Sequence, residues 1–220
     1  MGLRELSLKE EYRSDRDNLI EEFFIPCLDN CIEYDRAVEF VTLRSLTGYY
    51  FGLKSFLENN VQIRFVIGHR FRTSDLNILS KLYGKKSRLL PLKLTPTKEK
   101  KISVLSHMIE TNKMKIKIAI PNSEEVFGSF SEKTGIFHDE NDDMVAFTGT
   151  SNETFDPRNR NFESIDVFTS WNDKSRVDIK TNDFENLWQN KTKNISVYDF
   201  EDAVKKNLLI YSAEWILHAS

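Results

Sequence analysis

The chain has 220 residues, of which 40% are hydrophobic and 30% charged, and its formal net charge is −3. This composition is that of an ordinary globular protein, and the length suffices for one sizeable core but is short for two. We therefore expect a single domain over residues 1–220. The absence of any run of about 18 apolar residues excludes a transmembrane helix, and the N-terminus is too charged for a signal peptide. A cytoplasmic location without a membrane partner is expected.

The first half alternates helical and strand patterns, as α/β proteins do. Residues 17–33 have apolar residues at helical spacing, and Pro26 is expected to bend this helix. Residues 36–42 are a predicted strand. Ser45 can cap the following helix, which extends through Phe56, and residues 61–67 alternate as a second strand. Together these elements outline a βαβ unit.

Elements of both types continue through the second half. Helices are predicted at residues 74–83, 98–111, from 173 onward, and from Asp199 to Ile216. Strands are predicted at residues 115–120, 132–138, 144–148, 165–169 and 195–198. The acidic turn at residues 139–143 indicates a hairpin. Cys27 and Cys31, four apart on one helix face, are interpreted as buried thiols rather than as a disulfide or half of a metal site.

Basic residues are concentrated between Lys81 and Ile120. This block has a net charge of +9, so the rest of the chain carries −12. Its eleven basic residues are Lys81, Lys85, Lys86, Arg88, Lys93, Lys98, Lys100, Lys101, Lys113, Lys115 and Lys117. Such a block is a candidate track for a phosphate backbone, and a solvated helix and loop face is the alternative that charge alone leaves open.

An ordered set of residues in the second half resembles the phospholipase D-like phosphodiesterases. It comprises Lys133, Gly135-Ile136-Phe137, Val145-Ala146-Phe147, Gly149, Asn152-Glu153-Thr154, Asn161-Phe162-Glu163-Ser164 and Ser170-Trp171. The first predicted helix and the segment VQIRFVIG resemble the opening of the phospholipase D-like domains joined to bacterial helicase and restriction proteins. The resemblance covers most of the chain. It implies an α/β fold with a mixed sheet flanked by helices, and one motif copy per chain.

The family's H-x-K motif departs from its pattern here. In the family, the histidine attacks the phosphodiester and the lysine binds its oxygens, but this chain has Ser131-Glu132-Lys133. The lysine is kept and the histidine is absent. Either an inactivating substitution was made in the chain or the natural protein has lost its nucleophile, and the sequence leaves both explanations open.

The resemblance assigns roles to further residues. Lys133 and Asn152 would hold the nonbridging phosphate oxygens, Thr150 would stand in the position of the motif serine, and Glu163 would orient the histidine. Residues 130–133 and 145–149 are expected to be adjacent strands of one sheet. The side chains of Lys133, Asn152 and Glu163 are expected to converge on one cleft.

Phosphodiester chemistry explains these residue types. The site must neutralise the phosphate oxygens while a nucleophile approaches in line, and imidazole is suited to the attack because it is unprotonated near neutral pH. No metal or cofactor is required. The family needs two motifs per site, so a chain with one copy is expected to form a homodimer with the site on its axis.

A serine at position 131 needs a neighbouring base before it can attack. His138 is a poor candidate, because strand alternation turns it away from Ser131 and Lys133. It stands where the motif commonly has an aspartate, with Asp139 adjacent. The remaining histidines, His69, His107 and His218, are at no motif spacing. His69 differs from the other two because it directly follows the end of a predicted strand.

The leading hypothesis is a metal-independent nuclease that acts on DNA in restriction or phage defence, with a helicase domain or subunit as a further partner. In the histidine-bearing form it would react through a phosphohistidine, and Ser131 would leave it inactive or impaired. The alternative is a noncatalytic nucleic-acid-binding and dimerisation module. Phospholipid hydrolysis is disfavoured, because no amphipathic membrane-binding segment and no second motif copy are visible. The expected DNA contacts are Lys98, Lys100, Lys101, Lys113, Lys115, Arg158 and Arg160.

Overall fold

An eight-stranded mixed sheet organises the chain. The computed structural model describes residues 1–48, 61–84, 96–122, 128–151 and 162–212. Within these residues the large sheet consists of β1 (Glu11–Arg13), β2 (Glu33–Val38), β3 (Gln62–Gly68), β5 (Met114–Pro121), β6 (Thr134–His138), β7 (Met144–Gly149), β8 (Ser164–Thr169) and β9 (Ile195–Asp199). A second, two-stranded sheet pairs β4 (Arg70–Arg72) with β10 (Ile210–Ser212). The predicted α/β class with a mixed sheet is confirmed.

Helices pack on both faces of the large sheet. In the described part of the chain they are α1 (Ile25–Asn30), α2 (Leu43–Gly48), α3 (Thr73–Tyr83), α4 (Pro96–Glu110), α5 (Lys174–Trp188) and α6 (Phe200–Lys205). A π-helical turn, Ile20–Phe24, leads directly into α1. Asp173 caps α5 by accepting a hydrogen bond from the Arg176 amide at 3.3 Å.

The strand order places the ends of several strands together on one side of the sheet. The order is β1-β8-β7-β6-β2-β3-β5-β9, in which β2, β3 and β5 are parallel and the other neighbours are antiparallel. The carboxyl ends of β2, β3, β5 and β7 therefore lie beside the amino ends of β6 and β8. We refer to the side of the sheet formed by these strand ends as the site edge; it is not an outer strand.

Side-chain alternation divides the core into two layers. On the first face, Phe137 and Phe147 pack against the N-terminal helical segment, where the rings of Phe23 and Phe24 each lie 5.3 Å from that of Phe147. On the second face, small and branched residues such as Ala37, Val66, Ile136 and Ala146 pack against Val177, Phe184 and Leu187 of α5. Both faces of the central strands are therefore buried, as expected of parallel strands.

Several predicted boundaries were wrong. The first helix ends at Asn30, and the strand predicted at 36–42 occupies Glu33–Val38, where it pairs with both β3 and β6. Thr42 caps α2 instead of Ser45. These two residues exchange side-chain to backbone hydrogen bonds of 2.9 and 3.0 Å, in the manner of a capping box. The continuation predicted beyond Gly48 lies outside the described residues.

The C-terminal prediction also differs from the structure. The last helix ends at Lys205, and Ile210–Ser212 forms a strand that pairs in parallel with β4. Asp199 occupies the N-cap position of α6, but its side chain makes no capping hydrogen bond. Leu208 and Leu209 follow this helix, and their side chains pack against the core layer on the first face of the sheet. The part of this prediction from residue 213 onward lies outside the described residues.

Candidate active site

The site edge brings together residues from four strand ends. Lys133 directly precedes β6, Glu163 directly precedes β8, Ser151 follows β7 and Glu39 follows β2. The strand predicted to include residues 130–133 begins only at Thr134. Of the three side chains expected to converge, Lys133 and Glu163 thus lie at the same edge, and Asn152 lies outside the described residues.

Lys133 has a fixed backbone and a partly exposed ammonium group. Its carbonyl oxygen accepts hydrogen bonds from the Thr148 hydroxyl at 3.1 Å and from the Gly149 amide at 3.4 Å. Its Nζ lies 4.0 Å from Glu39 Oε2, and the lysine side chain is 21% exposed. Ser129 donates a hydrogen bond to the other carboxylate oxygen of Glu39 at 3.2 Å. Among the described residues this long contact is the one ion pair of Lys133, which leaves the ammonium able to bind an anion.

Glu163 is buried and held by its neighbours. The Ser151 hydroxyl donates to Glu163 Oε2 at 2.9 Å, and both residues are at most 9% exposed. The Glu163 amide donates to the Ser14 hydroxyl at 2.9 Å, which donates back to the Glu163 carbonyl at 3.1 Å. This network fixes the carboxylate in place, which an orienting residue requires.

Arg36 is a buried cation at this edge that the sequence analysis missed. It is 1% exposed, donates to the Ser151 carbonyl at 2.5 Å and to the Ala37 carbonyl at 3.0 Å, and stacks 5.0 Å from the Phe147 ring centroid. It links the end of β7 to the middle of the sheet. A charged residue inside the apolar strand YDRAV was the signal that could have identified it, because buried charges are nearly always paired.

Ser131 and Thr150 are both exposed. The Thr150 hydroxyl accepts from the Ser164 amide at 2.9 Å and lies 3.4 Å from the Ser164 carbonyl oxygen, so it joins β7 to β8. A side chain at Gly149 would overlap that same carbonyl oxygen. The glycine is required for the close approach of these two strand ends, which brings Thr150 and Glu163 to the site edge.

His138 and Asp139 lie at the opposite edge of the sheet. His138 ends the five-residue strand β6 and contacts Asp142 at 3.3 Å. Asp139 is 2% exposed and accepts hydrogen bonds from the amides of Leu3, Asn141 and Asp143 at 2.7, 2.9 and 3.0 Å. Since β6 alone spans about 13 Å, neither residue can act on Ser131 within one chain.

The described lysines of the basic block lie away from Lys133. Lys113 and Lys115 are at the amino end of β5, on the edge opposite the site edge. From strand spacings, Lys115 is about 17 Å from Lys133. Lys98, Lys100 and Lys101 belong to α4, whose side chains at these positions are not described, and Arg158 and Arg160 lie outside the described residues. The DNA contacts assigned to these residues stay predictions.

The described residues contain neither a metal-binding cluster nor a membrane-spanning helix. Cys27 and Cys31 are buried free thiols, and burial raises the pKa of both. In the described segments, no group of three or more His, Cys, Asp or Glu residues is placed to hold a metal ion. None of the helices in those segments has the length and apolar character needed to cross a bilayer.

Comparisons with known proteins give structural matches only. No protein-family model matches the sequence, and no curated protein is similar to it. Nuc from Salmonella typhimurium, a phospholipase D family member, matches with a TM-score of 0.45 and 14% identity, over 86% of this chain and 96% of Nuc. The phosphatidylserine synthase of Haemophilus influenzae Rd KW20 matches with a TM-score of 0.44 and 12% identity, over 90% of this chain. This chain covers 43% of that synthase, less than half of its length.

Proposed function

We propose that the chain is a phospholipase D-like phosphodiesterase domain, a metal-independent nuclease that cleaves DNA through a phosphohistidine when position 131 is histidine. The observation that carries the proposal is the placement of Lys133 and Glu163 at the site edge, with the exposed Ser131 two residues before Lys133. These positions are up to 32 residues apart in the sequence. Their order resembles the family's motif, and their placement at one edge is what that motif requires.

Each residue would have a separate task. Lys133 would neutralise a nonbridging oxygen, because its ammonium is partly exposed and only loosely paired with Glu39. The buried carboxylate of Glu163 would accept a hydrogen bond from an imidazole at position 131 and fix its orientation. Asn152 and Thr150 would complete the phosphate contacts.

An exposed aromatic residue beside the site favours nucleic acid over phospholipid. Phe162 is 62% exposed, the Arg13 guanidinium lies 5.1 Å from its ring centroid, and the next residue is the anchored Glu163. A nucleobase can stack on such a ring, whereas a phospholipid head group offers no aromatic face. The basic block of residues 81–120 supplies further attraction for a phosphate backbone. A role in restriction or phage defence beside a helicase is part of the same proposal.

The Ser131→His variant should cleave supercoiled plasmid in the presence of EDTA. The new imidazole would supply the missing nucleophile, next to a lysine and a glutamate already in place. Nicked and linear products separated on a gel measure the activity. Ser131→Gln is the matched control, because it adds a polar side chain of similar reach that cannot form a phosphohistidine. Cleavage by both variants, or by neither, contradicts the proposed role of position 131.

A noncatalytic nucleic-acid-binding module is the second candidate function. Ser131 itself favours it, because a chain without the motif histidine can still bind a phosphate through Lys133. The same experiment separates the two functions. Binding of the plasmid by Ser131→His without cleavage, with an affinity that falls steeply as salt is added, supports the binding module.

The proposed nuclease should be a homodimer in solution. One chain carries one Lys133, and the mechanism needs a second motif to protonate the leaving oxygen. A twofold interface that brings both copies of Lys133 to one groove meets this need. Light scattering at micromolar concentration should give twice the 25.8 kDa mass of the chain. A stable monomer at that concentration argues against the nuclease mechanism.

A further inference from the structure

His69 is a buried histidine at the site edge that the proposed mechanism does not use. It directly follows β3 and is 8% exposed, and its carbonyl oxygen accepts a hydrogen bond from the Ile210 amide at 2.8 Å. Its Nδ1 is buried and has no hydrogen-bond partner among the described residues. Buried polar atoms in folded proteins are nearly always paired, so an unpaired ring nitrogen calls for an explanation.

The position of Gly68 beside the Phe130 carbonyl limits the distance between His69 and Ser131. A Cβ placed on Gly68 would lie 3.4 Å from the carbonyl oxygen of Phe130. His69 directly follows Gly68, and Ser131 directly follows Phe130. Standard bond lengths therefore limit the separation of the His69 and Ser131 α-carbons to about 12 Å. The two side chains together extend about 7 Å. At the upper limit the remaining gap of about 5 Å is the span of one bridging water, so the imidazole is within range of the serine hydroxyl directly or through one water.

The protonation state of His69 suits a base. Burial, with a smaller contribution from the charge of Arg70, lowers the pKa of His69 below its usual value. The ring is therefore neutral near pH 7 and can accept a proton from a hydroxyl group. A serine hydroxyl becomes a useful nucleophile when such a base is adjacent.

We propose that His69 is the general base for Ser131, so that the unmodified chain is itself a slow phosphodiesterase that reacts through a phosphoserine. The inference rests on the proposed function, because Lys133 must hold the phosphate. Ser131 Oγ forms a bond to phosphorus while its proton passes to His69. The bond from phosphorus to the leaving oxygen breaks on the side opposite Ser131, and that oxygen takes a proton from solvent. Water then attacks phosphorus from that side and releases a proton to solvent. The bond from phosphorus to Ser131 Oγ breaks, and Oγ takes its proton back from the His69 imidazolium.

The unmodified chain, assayed with bis(4-nitrophenyl) phosphate in EDTA, tests this proposal. Slow release of nitrophenolate is expected, and mass spectrometry of quenched reactions should show a phosphoryl adduct on Ser131. His69→Asn and Ser131→Ala should each lower the rate by about 10²-fold or more, as removal of a general base or nucleophile does. His107→Asn is the matched control, because His107 is exposed on α4 and should leave the rate unchanged. Thermal unfolding of each variant checks the fold.

The outcomes separate this inference from the proposed function. An unmodified chain no more active than Ser131→Ala, together with plasmid cleavage by Ser131→His, overturns the role of His69 and leaves the proposed function standing. Full activity in a folded His69→Asn variant also overturns it. Inactivity of both the unmodified chain and Ser131→His removes both proposals.

Discussion

Replacement of Lys133 by methionine in the Ser131→His variant should lower the rate of plasmid cleavage by about 10²–10³-fold. The expected loss is that of one preorganised charge that stabilises the oxygens of the transition state. Methionine is one atom shorter than lysine and removes the charge and the hydrogen-bond donors of the ammonium. Because the Lys133 side chain is partly exposed and its ammonium lies 4.0 Å from Glu39, the fold should tolerate the change. Initial rates at saturating plasmid measure the effect.

Lys115→Met in the same background is the matched control. It removes one positive charge from an exposed lysine at the opposite edge of the sheet. A general weakening of DNA attraction would affect both variants alike, whereas a role in the chemical step belongs to Lys133 alone. If both variants cleave within about twofold of the Ser131→His parent, the phosphate is not bound at the site edge.

The sequence predicted the long elements of the fold and missed the short ones. Strand β3 and the β6–β7 hairpin could be predicted because apolar alternation and the acidic turn are local signals. Strands β1, β4 and β10 have three residues each, which is too few for a period to show. Their pairing is also nonlocal, since Tyr12 of β1 lies opposite Ile165 of β8.

The same limit applies to the candidate site. Lys133 and Glu163 could be named from the order of a known motif. Arg36 and Ser151 could not, because the Arg36 side chain bonds a backbone carbonyl 115 residues further along the chain. A backbone acceptor carries no residue-type signal, so only the folded sheet reveals the pair.

An ionic cluster around the buried carboxylate of Asp35 joins α5 to the second face of the sheet. The Arg64 guanidinium contacts three carboxylates, those of Asp35 at 2.5 and 2.6 Å, Glu185 at 2.6 Å and Glu33 at 3.0 Å. It also lies 5.3 Å from the Phe184 ring centroid. Asp35 is 5% exposed, and burial raises its pKa to about 7. One cation thus holds a helix and two strands together, and it balances only part of the negative charge.

Replacement of Arg64 by methionine should lower the free energy of unfolding by about 3–5 kcal/mol at pH 8, because the ionised Asp35 would remain buried without its partner. Since the pKa of Asp35 is raised in the folded state, its contribution to stability is greatest below about pH 4 and is lost as the pH rises through 7. Protonated Asp35 needs no cation, so the loss in Arg64→Met should be smaller at pH 5 than at pH 8. Urea denaturation at the two pH values measures this difference.

In the matched double variant, Asp35→Asn with Arg64→Met, no carboxylate remains at position 35 and the difference in the loss of stability between pH 5 and pH 8 should shrink. An equal loss at both pH values in Arg64→Met would show that the guanidinium acts through its packing on Phe184 and not through its charge.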